Sequence, residues 1–265
     1  MTNILVAIPC YGGLIQVETM ESLFRLHQLF TAQHVEHTIA TLSDSTVTCA
    51  RNYFANRAVF EADQISHKWS HVLYIDSDSV FQATDVLKML RADKPIIGLP
   101  FSLKKVRWDL VGEAARLGMP DNLLQEYGGE PNINQTTAPI PVDRVTQIDQ
   151  VGAGMMLVNT DVLRAMVAQH PEWKYRMFAA QIEVVQSDGG NRDYAYDFFQ
   201  FRIDPETKFY LTEDFFFVEE ARKLGFESYL LPSAATGHIG SFEYRMNLPL
   251  VAKTGLNVRG IVKQD

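Results

Sequence analysis

Residues 71–81 read HVLYIDSDSVF. Val72, Leu73, Tyr74 and Ile75 form an unbroken apolar run, which suits a strand of a parallel sheet covered on both faces. The run stops at two carboxylates, Asp76 and Asp78, one residue apart. In an extended segment residues i and i+2 face the same side, so the two acids are expected to converge on one point. Two negative charges held that close require a positive partner between them. Mg²⁺ and Mn²⁺ take carboxylate oxygens and complete their coordination with waters and substrate phosphates. An Asp-x-Asp pair after a buried strand therefore suggests a metal holding a diphosphate. The plainer alternative is a turn carrying two solvated acids.

The flanking sequence supplies the frame. NILVAIP (3–9), HTIATL (37–42) and PIIGLPF (95–101) read as further strands. Residues 15–32 carry Val17, Met20, Phe24, His27 and Phe30 near helical spacing. Val47, Ala50, Phe54 and Ala58 make an apolar helical stripe behind Ser45 as N-cap, and residues 84–91 form a short helix. Strand and helix alternate from residue 3 to residue 101, the pattern of an α/β, doubly wound, mostly parallel sheet. Right-handed crossovers place the carboxyl ends of such strands along one edge, where ligands bind. Tyr11, Asp44, Asp76 and Asp78 all fall just past strand ends and are expected in one crevice.

The second half is less regular. Residues 102–147 are rich in Gly, Pro, Asn and Gln and read as a variable insertion or mobile loop; Lys104, Lys105, Arg107 and Trp108 near its start make it a candidate lid. VTQIDQVGAGMMLVNTDVLRAM reads as strand, glycine turn, strand and helix, and VVQSDGGNRDYAYDFFQFRI as a hairpin around DGGN. LTEDFFFVEEARKLGF is a helix with Thr212 as N-cap, acids in its first turn, Arg222 and Lys223 in its last, and Gly225 as its stop.

Composition narrows the class. With 46% hydrophobic and 21% charged residues the chain is an ordinary globular sequence, and no apolar run reaches the length of a membrane span. A formal net charge of −8 is a poor match for a nucleic-acid backbone. Two cysteines, Cys10 and Cys49, are too few for a disulfide framework. The amino terminus has no basic region or small-residue cleavage site of a signal peptide. These features favour a cytoplasmic setting, with a peripheral membrane location as the alternative.

Five segments in order, ARNYFANRA, YIDSDSVF, VGAGMMLVNTDVL, LTEDFFFVEEARKLGF and GHIG, resemble GT-A-fold glycosyltransferases, in a short, single-domain, family-2-like form. The resemblance runs from about residue 3 to residue 243 and skips 102–147. It implies a GT-A-like sheet with a smaller acceptor-side lobe. Residues 1–101 would form the nucleotide-sugar half, 102–147 the insertion, 148–243 the metal and acceptor half, and 244–265 a tail, all within one domain. It further implies a nucleotide-sugar donor, a UDP-sugar before a GDP-sugar, and a glycan, protein or small-molecule acceptor. Asp76, Asp78 and His238 would hold Mn²⁺ (or Mg²⁺) on the diphosphate.

The other candidates carry paired readings. Arg51 near the start of its helix is a fork for a phosphate or a carboxylate, or a surface ion pair. His238, between glycines, is a third metal ligand that favours Mn²⁺, or a structural histidine. Tyr11 and Asp44 meet base and ribose, or pack and cap; Pro9 joins them on the donor side. Gly152 and Gly154 line the donor sugar with backbone, or form a turn or bulge. Acids in the first turn of a helix offset its dipole, whereas the resemblance puts Asp214, with Glu213 second, beside the acceptor hydroxyl. Two rivals remain: a sugar-1-phosphate nucleotidyltransferase, which would carry a basic glycine-rich loop that PCYGGLIQVETME lacks, and a non-catalytic nucleotide-sugar or carbohydrate-binding module.

Overall fold

A computed structural model describes residues 2–61, 67–134 and 140–255. Seven strands form the central sheet: β1 (Asn3–Cys10), β2 (Glu36–Ser43), β3 (His71–Ile75), β4 (Ile96–Gly98), β5 (Thr146–Ile148), β6 (Met155–Asn159) and β7 (Ser228–Leu230). Their spatial order is β2-β1-β3-β6-β4-β7-β5. β1 pairs in parallel with β2 and β3, and β4 with β7. β6 runs antiparallel between β3 and β4, and β5 antiparallel along β7. Five strands thus share one direction, and the sheet is mostly parallel, as the strand–helix alternation led us to expect.

The alternating pleat explains the unbroken apolar runs. Ile4, Val6 and Ile8 of β1 with Leu73 and Ile75 of β3 pack into one layer with Leu23, Leu26 and Phe30 of α1 (Val17–Ala32) and Val86 and Met89 of α3 (Ala83–Arg91). Leu5, Ala7, Val72 and Tyr74 point to the other side. There they meet Phe54 and Ala58 of α2 (Val47–Phe60), Val162 and Met166 of α5 (Thr160–Gln169), and Phe216 and Phe217 of α7 (Glu213–Lys223). Burying strands on both faces is what makes their sequences apolar throughout.

Three local expectations change. The buried face of α1 is Thr19, Ser22, Leu23, Leu26 and Phe30, while Val17 and Phe24 are exposed. Small Ser22 lets the Phe81 backbone approach closely enough to donate to its hydroxyl at 3.4 Å, so proximity, not bulk, chooses the face. The N-cap position of α2 is Thr46, not Ser45. The segment around DGGN is no hairpin. Ala179–Ser187 is a helix, α6, and Gly189 (φ 84°) and Gly190 end it, with their N–H groups bonded to Gln186 and Val185 carbonyls. Tyr194–Tyr196 then pairs with Lys174–Arg176.

Residues 102–134 hold regular elements rather than a bare loop. Ser102–Val106 pairs antiparallel with Gly129–Pro131, and α4 (Trp108–Arg116) lies between them in sequence. Residues 135–139 of the insertion and 256–265 of the tail lie outside the described residues. A second small sheet joins Ser79–Val80, Ala235–Ile239 and Glu243–Asn247. It brings His238 opposite Ser79, just beyond the Asp-x-Asp pair. Among the described residues no helix is long and apolar enough to cross a membrane.

Candidate functional site

A cavity of about 210 Å³ opens at the carboxyl ends of β1, β2 and β3. Pro9 and Cys10 line it from β1 and Tyr11 from the turn that follows, Asp44 and Thr46 from the β2–α2 connection, Val47 and Ala50 from α2, and Asp76, Ser77 and Asp78 from the end of β3; His238 closes it from the small sheet. Six residues singled out in the sequence therefore share one cavity. Tyr11 is 77% exposed, its ring standing free at the cavity's edge. Asp44 accepts bonds through Oδ1 from the Thr46 backbone at 3.0 Å and its hydroxyl at 3.3 Å. Its Oδ2 makes no hydrogen bond among the described residues. Asp44 thus closes a turn ahead of α2 rather than capping the helix, and keeps a free oxygen.

The two carboxylates of the Asp-x-Asp pair do not share a partner. Ser79 N–H donates to the Asp76 carbonyl at 3.1 Å and closes a turn over residues 76–79. The segment is therefore not extended, and the i, i+2 rule does not apply. Asp76 accepts from Arg51 Nη2 at 2.8 Å. Asp78 accepts from Lys104 Nζ at 2.6 Å through Oδ2 and faces His238 Nε2 at 3.3 Å through Oδ1. Burial alone would raise the Asp78 pKa, but the bonds and charges of His238 and Lys104 outweigh it and hold the carboxyl below its usual value.

Arg51 is no surface ion pair. Its side chain is 4% exposed and bonds Asp76 on one side and Glu213 Oε1 on the other. Burial opposes its charge; Asp76, Glu213 and Asp214 more than offset that, so the guanidinium is held above its ordinary value. Its Nε has no hydrogen-bond partner among the described residues. Glu213 and Asp214 thus sit behind Arg51 and do not line the cavity. Burial and the neighbouring Asp214 raise the Glu213 pKa against the pull of Arg51. Asp214 is bonded at both oxygens: Oδ1 accepts from the Thr212 hydroxyl at 2.6 Å and Phe215 N at 2.9 Å, and Oδ2 from Ala153 N at 3.3 Å.

Gly152 and Gly154 serve close approach, but to protein. A Cβ on Gly152 would lie 2.3 Å from the Asn132 amide, and one on Gly154 2.7 Å from the Phe101 ring and 3.3 Å from Asp76 Oδ2. The Gly154 carbonyl accepts from Asp76 N at 3.0 Å and from the Ser79 hydroxyl at 3.1 Å. Gly154 positions the Asp76 turn, and Gly152 admits Asn132. These roles were legible only as a turn or bulge, because the partners lie elsewhere in the chain.

Asp78 and His238 are the groups here that could hold a divalent cation. Ser102 carbonyl, which can only accept, lies 2.8 Å from His238 Nδ1, so Nδ1 carries the proton and fixes Nε2 toward Asp78. The ring is further seated by Phe101, 4.4 Å between centroids. Nε2 is the nitrogen that meets Asp78, as a donor when it carries a proton or as a ligand when a cation lies between them. Among the described residues no three His, Cys, Asp or Glu groups converge as a ready metal cluster; Asp76 is occupied by Arg51. Protein groups and ligand oxygens would together complete such a site.

No family model matches the chain, and no curated protein matches it. Among solved structures it is similar to A197 from STIV, at 11% identity and a TM-score of 0.47 over 100% of this chain and 95% of that one. It is also similar to 4-diphosphocytidyl-2C-methyl-D-erythritol synthase from Anaerococcus prevotii DSM 20548, at 10% identity and a TM-score of 0.32 over 84% and 96% of the two chains. At these distances neither likeness carries a residue role to this chain.

Proposed function

We propose that the chain is a GT-A-type glycosyltransferase that moves a sugar from a nucleoside-diphosphate-sugar to an acceptor hydroxyl. The observation that supports this reading most is the gathering of Pro9, Tyr11, Asp44, Asp76, Asp78 and His238 around one cavity at the strands' carboxyl edge. The Tyr11 face suits a base, and Asp44 Oδ2 can accept from a base N–H or a ribose hydroxyl. UDP-sugars are the first choice of donor and GDP-sugars the second; the acceptor is a glycan, a protein or a small molecule. Asp78 and His238 would hold Mn²⁺ in preference to Mg²⁺, supplying Lewis-acid stabilisation of the departing diphosphate.

In the transfer the acceptor oxygen bonds to the anomeric carbon while the bond from that carbon to the diphosphate oxygen breaks. The electron pair of the broken bond leaves with the nucleoside diphosphate, and the acceptor proton passes to a carboxylate. Neither Glu213 nor Asp214 lines the cavity; Glu213, bonded to Arg51, would have to swing past it to take that proton, and it suits the role better than Asp214. Its pKa is raised, whereas both Asp214 oxygens already accept bonds. Asp214 then anchors Ala153 and the first turn of α7.

A melting experiment with UDP and GDP, with and without Mn²⁺, tests the reading, since a ligand of the native state raises the melting temperature. One diphosphate should stabilise the protein, more so with Mn²⁺, and His238→Ala should remove the Mn²⁺ increment. Glu213→Gln should keep that stabilisation and lose turnover of the donor by about a hundredfold or more. Wild-type protein whose melting is indifferent to both nucleotides, with and without the metal, would contradict the proposal.

A further inference from the structure

We infer that Lys104 is a donor-binding residue, the cation that leaves Asp78 to bond the diphosphate of the incoming nucleotide. The inference rests on the reading above in one respect, that the ligand carries a diphosphate. A dianionic ligand entering a cavity walled by Asp44, Asp76 and Asp78 needs a cation free to meet it. Arg51 cannot turn. Its side chain is 4% exposed and tied to two carboxylates, Asp76 and Glu213. His238 is held by its Nδ1 bond to the Ser102 carbonyl and by the Phe101 ring.

Lys104 is placed differently. It lies two residues past Ser102 on the strand Ser102–Val106, and its stem passes over Gly240, where a Cβ would come within 3.2 Å of its Cδ and 3.0 Å of the Tyr244 ring. The missing side chain at 240 is what lets the stem lie there. The stem carries Nζ to Asp78, a residue of the cavity wall, and among the described residues this is its only hydrogen bond. The side chain is 42% exposed. Water screens the lysine end of the pair, so Asp78 holds Lys104 less firmly than it would in a fully buried pair. A lysine is also a compact charge on a flexible stem with three rotatable donors, fitted to reach for phosphate oxygens. Neighbouring Lys105 points to the opposite face of the strand and pairs with Glu130 at 2.8 Å, so the role belongs to 104 and not to the pair.

Calorimetric titration of UDP, GDP, uridine and guanosine in the presence of Mn²⁺ tests this in the wild type, Lys104→Gln and Lys104→Arg. Lys104→Gln should weaken the bound diphosphate about tenfold to a hundredfold, the value of a charge-assisted hydrogen bond. Affinity for the matching nucleoside should stay unchanged, and Lys104→Arg should recover most of the loss. A merely structural lysine would lower nucleoside and diphosphate affinity together. Either that parallel loss or wild-type diphosphate affinity in Lys104→Gln overturns the inference while the glycosyltransferase reading stands. A wild type that binds neither diphosphate overturns both.

Discussion

Arg51 shows how one side chain sets the electrostatics of the site. It is the shared cation of Asp76 and Glu213, with Asp214 close enough to add to its field. A buried ion network of this kind adds little net stability, but removing one partner strands the others. Arg51→Met should therefore lower unfolding stability by about 3–5 kcal/mol, because two carboxylates lose their counter-charge; urea titration measures it. The need for a positive charge beside Asp76 and Asp78 was legible in the sequence. Its source was legible as one of two readings: Arg51 as a fork for a carboxylate of the site is what meets Asp76, and the surface ion pair is not. The Asp-x-Asp geometry was hidden, since the Ser79 N–H that closes the turn is a backbone group with no signature in residue type.

Helix α2 is unusual at the scale of the element. It buries Arg51, Asn52, Asn56 and Arg57 beside Phe54 and Ala58, and these polar groups dock a distant segment. Asn52 Oδ1 accepts from the N–H of Phe198 at 2.8 Å and of Phe199 at 2.9 Å; Asn56 Oδ1 accepts from Tyr196 N at 2.7 Å. Asn52→Ala leaves two buried amides without a partner and should cost about 2–5 kcal/mol. Hydrogen exchange at Phe198 and Phe199 should accelerate while exchange in β1 follows global unfolding only. Elements with strong local signals were legible: β1 and β3 from their apolar runs, and α7 from Thr212 and the Gly225 stop, where φ is 88°. The stretch around DGGN was not, because the same glycines end a helix or turn a hairpin equally well. What decides is the helical run before them.

For the whole molecule, the decisive feature is the place of β6 between β3 and β4. The alternation of strands and helices correctly indicates a mostly parallel sheet, yet MMLVN in β6 reads like any other buried strand, and nothing local marks it as antiparallel. Its insertion means that residues 1–101 are not a unit. A fragment of residues 1–101 retains β1, β2 and β3 but loses the partner that joins β3 to β4. It should show no cooperative urea transition and no near-ultraviolet circular dichroism, whereas the full chain shows both. A sharp transition in the fragment would mean that the first half folds without β6.

The same strand order bears on how the chain leaves the ribosome. β3 is finished about 80 residues before β6 emerges, a gap of roughly 4–16 s at synthesis rates of about 5–20 residues per second. Throughout that interval one side of β3 lacks its ladder, and Val72–Ile75 have no neighbour on that side. The nascent chain thus offers a sticky, strand-shaped edge to chaperones, or to other nascent copies on the same message, until translation delivers the piece that covers it.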